Sequence, residues 1–292
     1  MSASHGNLPV ELYRPIVESI TTKCDLISFC LVCRAMRDEA ERILYSAVRL
    51  TPSTESLAIQ LRDNHRQRRH ISQFGISTTP YPPKTDLLNP LLRILPDTLT
   101  ALDLFHKRLG ERFYKALSTC HFPCLVQFRC DFYEHSSWEI ENAACFGHVS
   151  TFLLAHPTIE RLYWKGDTPD EFTLQHHYLE CLPRVRFVEV DTMYNLILFL
   201  LRMGRPITHF HARRTPPVGL WLSVRASPSN IRVVDIDLIA SREAYALLNN
   251  LPGLRFVGNI PIYTTMTQVS NSSTALTDTN KTTIGSFVSG PC

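Results

Sequence analysis

Ile159-Glu160-Arg161-Leu162-Tyr163-Trp164 is the stretch on which the architecture turns, because its apolar first, fourth and sixth positions recur along the chain. The same spacing stands in Ile71-Ser-Gln-Phe74-Gly-Ile76, Leu99-Thr-Ala-Leu102-Asp-Leu104 and Leu125-Val-Gln-Phe128-Arg-Cys130. It returns in Val185-Arg-Phe-Val188-Glu-Val190, Ile207-Thr-His-Phe210-His-Ala212 and Ile231-Arg-Val-Val234-Asp-Ile236, and weakens in Leu254-Arg-Phe-Val257-Gly-Asn259. Successive first positions lie 28, 26, 34, 26, 22, 24 and 23 residues apart. A proline stands shortly before nearly every one, at Pro96, Pro123, Pro157, Pro183, Pro206, Pro228 and Pro252. Proline ends a preceding helix and feeds an extended segment. Helix-like stretches fill the intervals at 111–119, 145–155, 172–181, 193–202 and 242–250.

Strand, helix and proline at a period of roughly 20–29 residues resembles the leucine-rich repeat. The asparagine ladder of regular repeats is absent, and the step of 34 implies an insertion near 132–142. Such units stack because none can bury its own apolar face. The expected fold class is therefore α/β: an N-terminal helical module, then an irregular solenoid with a parallel sheet on its concave face and helices on its convex face. A mixed α/β domain of unrelated strands is the competing architecture. Side chains alternate along a strand. The outward series would then be Asp103, Arg129, Asp131, Arg161, Tyr163, Lys165, Glu189, Asp191, His209, His211, Arg213, Asp235 and Asp237. A row of alternating sign suits a protein target, with Tyr163 as the expected anchor; an ordinary solvated face is the plain alternative.

Ahead of the repeats, Leu8, Leu12, Ile16 and Ile20 recur every fourth residue, the stripe of an amphipathic helix. Pro9 suits a first turn, Glu11 complements its positive end, and Pro15 predicts a kink or restart. Asp25 is the expected cap of a second helix over 26–33. A third should span 34–45, with Met36, Ala40, Ile43 and Leu44 inward and Arg37, Asp38, Glu41 and Arg42 outward. Three helices in under fifty residues make a small core, which leaves apolar surface for a partner.

Leu8-Pro9-x-Glu11-Leu12, Ile16-Val17, Ile20, Asp25-Leu26, Leu31-Val32-Cys33-Arg34 and Arg37 together resemble the F-box motif, in the form common among fungal proteins. The likeness covers 7–50 and departs from the usual pattern at Pro15 and at Met36, where a larger aromatic is frequent. It implies docking on a Skp-type adaptor, and through it a cullin, by Leu8, Pro9, Leu12, Ile16, Ile20, Leu26, Leu31, Val32 and Arg34. The chain would then be the non-catalytic receptor subunit of a ubiquitin ligase. The alternative is a scaffold whose head packs on its own solenoid. The expected organisation is 1–6 disordered, 7–50 head, 51–70 linker or helical connector, 71–263 solenoid, and 264–292 a disordered Ser/Thr-rich tail. Asn271-Ser-Ser273 and Asn280-Lys-Thr282 in that tail fit the glycosylation acceptor pattern.

The 292 residues are 44% hydrophobic and 20% charged, enough to bury a large core. Residues 1–7 lack a basic region followed by an apolar core, so no secretory signal is expected. The longest apolar run, 193–201, is too short to span a membrane. Nine scattered cysteines read as reduced thiols of the cytoplasm or nucleus. A net charge of +3 gives no reason to expect nucleic acid. The basic run His65-Arg-Gln-Arg-Arg-His70 is either a solvated link or an import or phosphate-binding patch.

No constellation demands catalysis. Cys30-Leu-Val-Cys33 lacks the second pair of a zinc site and the preceding strand of a redox motif. Cys120-His121-x-x-Cys124 with Cys130, His176-His177 and His209-x-His211 are better read as buried thiols and surface histidines than as ligands. Glycine-rich phosphate loops, nucleophile elbows and metalloprotease motifs are missing. No cofactor and no metal are expected.

Overall fold

Each strand that carries the motif begins two residues after its first apolar position, and that leading residue is buried, as in Ile71, Leu99, Leu125, Ile159, Val185 and Ile207. The computed structural model describes residues 9–78, 85–106, 109–131, 139–165, 181–191, 200–201, 203–212, 231–236 and 253–258. They divide into two compact units, 1–125 and 126–292. The expected helices at 172–181 and 242–250, nearly all of 193–202, the tail and the N-terminal residues lie outside the described residues.

The first unit opens with a 3-10 turn over Val10–Leu12 that passes into α1, Tyr13–Glu18. Pro15 sits in the first turn of α1, where its missing N–H has no helical partner to lose. Helix α2 spans Lys23–Phe29 and α3 spans Arg34–Leu44. Thr22, not Asp25, caps α2. Its Oγ1 accepts from the Asp25 backbone N–H at 3.2 Å and donates to the Asp25 carboxylate at 2.6 Å. Asp25 thus lies three residues inside the helix, where its charge still faces the positive end.

Val17, Leu26 and Ala40 form the core of this three-helix head, with Ile20, Phe29, Ile43 and Leu44 packed around it. Polar contacts tie the same helices. Arg42 reaches Glu18 at 2.6 Å and Glu39 at 2.8 Å, while Arg14 reaches Glu39 at 3.3 Å. Burial alone would raise the Glu39 carboxyl, yet the two guanidinium bonds hold it below the usual range. Arg37 Nε donates to the Cys30 carbonyl at 2.9 Å and closes the end of α2.

Strand β1, Ala47–Leu50, follows α3 directly and pairs in parallel with β2, Gln73–Thr78, which pairs in parallel with β3, Ala101–His106. The sheet therefore begins at Ala47, inside the segment expected to belong to the head, one unit before the first recognised motif. The connection 51–70 is the crossover that parallel pairing requires. It carries a 3-10 turn, Pro52–Thr54, then α4, Glu55–Asp63, and α5, His65–Arg68. The basic run is neither a bare link nor a free patch. Arg66 pairs with Asp38 at 2.6 Å and Glu41 at 3.0 Å, Arg69 approaches Asp38 at 3.8 Å, and Arg68 donates to the carbonyls of Leu61 and Arg62. These bonds pin α5 to α3. Helices α6, Thr85–Arg93, and α7, Glu111–Ser118, complete the unit; α6 lies beside both α4 and α7.

In the second unit β4, Gln127–Asp131, and β5, Arg161–Lys165, are joined by α8, Glu139–Ala155. The segment expected as an insertion therefore ends in the first turn of α8. Strands β6, Phe187–Val190, β7, His209–Ala212, β8, Val233–Ile236, and β9, Phe256–Gly258, follow in order, each parallel to the last. Their burial alternates with period two: Phe128, Leu162, Val188, Phe210 and Val234 face the core. Helix α8 lies on that face, with Phe152 at 5.1 Å from Phe128 and Phe146 edge-on to Trp164 at 5.9 Å. At its end the buried His156 donates from Nδ1 to the Phe152 carbonyl at 2.6 Å.

Candidate protein-interaction surfaces

Three surfaces emerge, one on the head and one on the outward strand face of each unit. On the head, Leu12 is 46% exposed, Ile27 56%, Leu31 80% and Val32 64%. Four large apolar side chains thus stand open to water on a module whose core cluster holds three buried residues. Pro9 and Arg34 are exposed, while Ile16 and Ile20 are half-buried. Leu26 is buried and belongs to the core, so it cannot make the direct adaptor contact expected of it. Leu8 lies outside the described residues. Ile27 was missed because the four-residue stripe ends at Ile20, before α2, and a lone isoleucine beside Leu26 carries no pattern.

In the first unit Asp103 faces Arg49 at 3.7 Å. They sit two strands apart, and Gly75 occupies the register position between them. With no side chain there, Arg49 and Asp103 meet across β2, and Arg49 also lies over the Phe105 ring at 5.5 Å. Arg49 was absent from the expected series because β1 had been assigned to the head, and Gly75, although inside a recognised motif, offers no side chain to count.

In the second unit Arg129, Tyr163, Glu189, His211 and Asp235 fall into one register row. Arg129 lies over the Tyr163 ring at 5.2 Å and reaches Glu189 at 3.9 Å, two strands away. His211 Nδ1 approaches Glu189 from the other side at 3.4 Å. The Oδ1 of Asp235 is buried and makes no hydrogen bond among the described residues. Lys165 and Asp131 pair at 4.0 Å in the next row, beside which Asp191 is half-buried. The row at the strand starts joins Tyr163 diagonally to Phe187 at 5.2 Å, and Phe187 stacks with His209 at 6.3 Å. Phe187 went unnoticed because an aromatic in a motif's variable position reads as core. Arg161 and His209 are exposed; Arg213 and Asp237 lie outside the described residues.

Apart from Arg49, the side chains in these pairs are less than a third exposed, and their contacts, at 3.4–4.0 Å, are long. Their effect is positional: Arg49 holds Asp103 and Arg129 holds Glu189 across an intervening strand, and Lys165 holds Asp131 from the adjacent one, so the face presents fixed charges around a half-buried aromatic line. That arrangement suits recognition of a macromolecular surface. Among the described residues no three His, Cys, Asp or Glu side chains are placed to hold a metal ion. His209 bonds to Thr208 at 2.8 Å, and His211 turns to Glu189. Among those residues no helix is long and apolar enough to cross a membrane.

The cysteines differ sharply in reactivity. Burial pushes the Cys120 thiol up to about 11 and the Cys181 thiol up to about 12, while Cys24, Cys33 and Cys124 are exposed. The thiolate is the reactive form. Maleimide near neutral pH should label the three exposed thiols in the native protein and leave Cys120 and Cys181 unlabelled until denaturant is added. Mass spectrometry of tryptic peptides reads this directly, and native labelling of Cys181 would contradict the packing described here.

No protein-family model matches the sequence, and no curated protein does.

Proposed function

We propose that the chain is the substrate-receptor subunit of a Skp–cullin–F-box type ubiquitin ligase, with an F-box head and a degenerate leucine-rich-repeat body. The observation that carries this reading is the exposure of Leu12, Ile27, Leu31 and Val32 on the three-helix head. At about 25 cal/mol per Å2, apolar surface of this kind favours a partner that buries it. The order of sequence elements resembling the F-box supplies the partner's identity, a Skp-type adaptor that bridges to a cullin. The strand face would hold the protein target, and transfer of ubiquitin would be carried out by other subunits. A scaffold whose head packs on its own body would need these side chains covered, and among the described residues of the head Leu31 is 80% and Val32 64% exposed.

Co-expression with a Skp-type adaptor tests the proposal. The wild-type chain should co-purify with it in a stoichiometric complex. The double variant Leu31→Glu/Val32→Glu should lose the complex and keep its circular dichroism spectrum. Retained capture by that variant, or no capture by the wild type, would sink the assignment.

A further inference from the structure

From the second unit's strand-entry edge we infer an anion-recognition ridge that takes an acidic peptide segment of a partner protein. It deepens the target-binding half of the proposal above by naming the chemistry of the target. The residues immediately before β5 to β9 are Glu160, Arg186, Thr208, Arg232 and Arg255. They are joined by a continuous backbone ladder: Arg186 N–H donates to Glu160 at 2.9 Å, Thr208 to Arg186 at 2.9 Å, Arg232 to Thr208 at 2.9 Å, and Arg255 to Arg232 at 2.7 Å. Neighbouring strands lie about 4.8 Å apart. The backbones of Arg186 and Arg232 are thus roughly 10 Å apart, and those of Arg232 and Arg255 roughly 5 Å.

All three arginines are exposed, as are Arg161 and Arg184 close by. None of the five forms an ion pair with a described residue. The ladder does not require arginine at this position. In the first unit the equivalent residues are Ser46, Ser72 and Thr100, and the hydroxyls of Ser72 and Thr100 bond back to the preceding strand at 3.0 and 2.9 Å. Thr208 makes the same bond to Arg186 at 3.3 Å. A small hydroxyl residue therefore satisfies the fold, and arginine adds only charge.

Like charges on adjacent strands repel, so the row costs stability that an anionic ligand would recover. Guanidinium groups remain charged and bind carboxylates in forked pairs. Glu160 interrupts the row at one end, and the net charge of the whole chain is only +3. Both favour a short acidic peptide over a long polyphosphate.

The test uses the full-length chain and fluorescein-labelled octaglutamate, with octaglutamine and a short oligothymidylate as comparison probes. Octaglutamate should bind, weaken as salt rises, and lose about tenfold or more in affinity to Arg186→Glu/Arg232→Glu/Arg255→Glu. The triple lysine variant should stay within about threefold of wild type, since it retains the charge. If the triple reversal fails to fold, Arg232→Glu alone should still cost about threefold. Equal binding of octaglutamine, or unchanged affinity in the charge-reversed chain, would overturn the inference. Tighter binding of oligothymidylate with the same arginine dependence would reassign the ridge to nucleic acid. Adaptor capture by the head is measured separately, so failure here leaves the receptor proposal standing.

Discussion

Phe128→Ala should lower the unfolding free energy by about 3–5 kcal/mol, as expected when a large aromatic is removed from a packed interior. Phe128 is the second residue of β4 and fully buried, between the leading residue Leu125 and Cys130. Its ring meets Phe152 of α8 at 5.1 Å, and Phe152 is itself 4.0 Å from the ring of His156. Alanine would leave a cavity bounded by a helix whose other contact with the sheet, Phe146 against Trp164, holds it in place. The helix therefore cannot sink in to fill the space, which puts the cost toward the upper end of the range. Urea unfolding followed by circular dichroism measures this, with Val126→Ala as the control. Val126 is two residues away and 37% exposed, so its truncation should change stability by less than about 1 kcal/mol. Comparable losses for the two variants would contradict the packing of α8 on β4.

Why Phe128 was identifiable in advance also explains what was not. The recurring first, fourth and sixth apolar positions are direct consequences of a strand whose leading residue caps the core and whose next two inward residues fill it. Leu125, Phe128 and Cys130 are buried for that reason. The outward residues followed by parity alone, which placed Arg129, Tyr163, Glu189, His211 and Asp235 on one face. What parity cannot give is which neighbours meet. Arg129 reaches Glu189 only because Tyr163 lies flat between them, and Arg49 reaches Asp103 only because position 75 is glycine. Strand β1 was hidden because Ala47-Val48-Arg49-Leu50, although no shorter than β6, β7 or β8, directly follows a helical stretch and reads as part of it. The cap of α2 was displaced by three residues because Thr22 and Asp25 both suit an N-terminus; only the backbone angles of Thr22, extended at φ −99° and ψ 138°, decide between them.

Leu26→Ala and Leu31→Ala should separate the head's stability from its docking surface, although both residues fall within the sequence that resembles an F-box. Leu26 is 4% exposed and packs with Val17 and Ala40 under Ile20, Ile43 and Leu44. A leucine truncated there costs about 2–5 kcal/mol. Because the head has so few fully buried residues, little else can compensate, and Leu26→Ala should melt at a distinctly lower temperature. Leu31 lies beyond the end of α2 and is 80% exposed. Its truncation should leave the melting temperature within the scatter of a surface change, about 0.5 kcal/mol. Its effect should appear instead in adaptor capture, because a side chain open to water in the free protein contributes its apolar area only when a partner covers it. Differential scanning fluorimetry of the two variants, alongside co-purification with the adaptor, gives both readouts from one preparation. A Leu31→Ala protein that melts early, or a Leu26→Ala protein as stable as wild type, would reverse the assignment of core and docking face. That contrast is what distinguishes an apolar residue the head uses to fold from one it holds open for a partner.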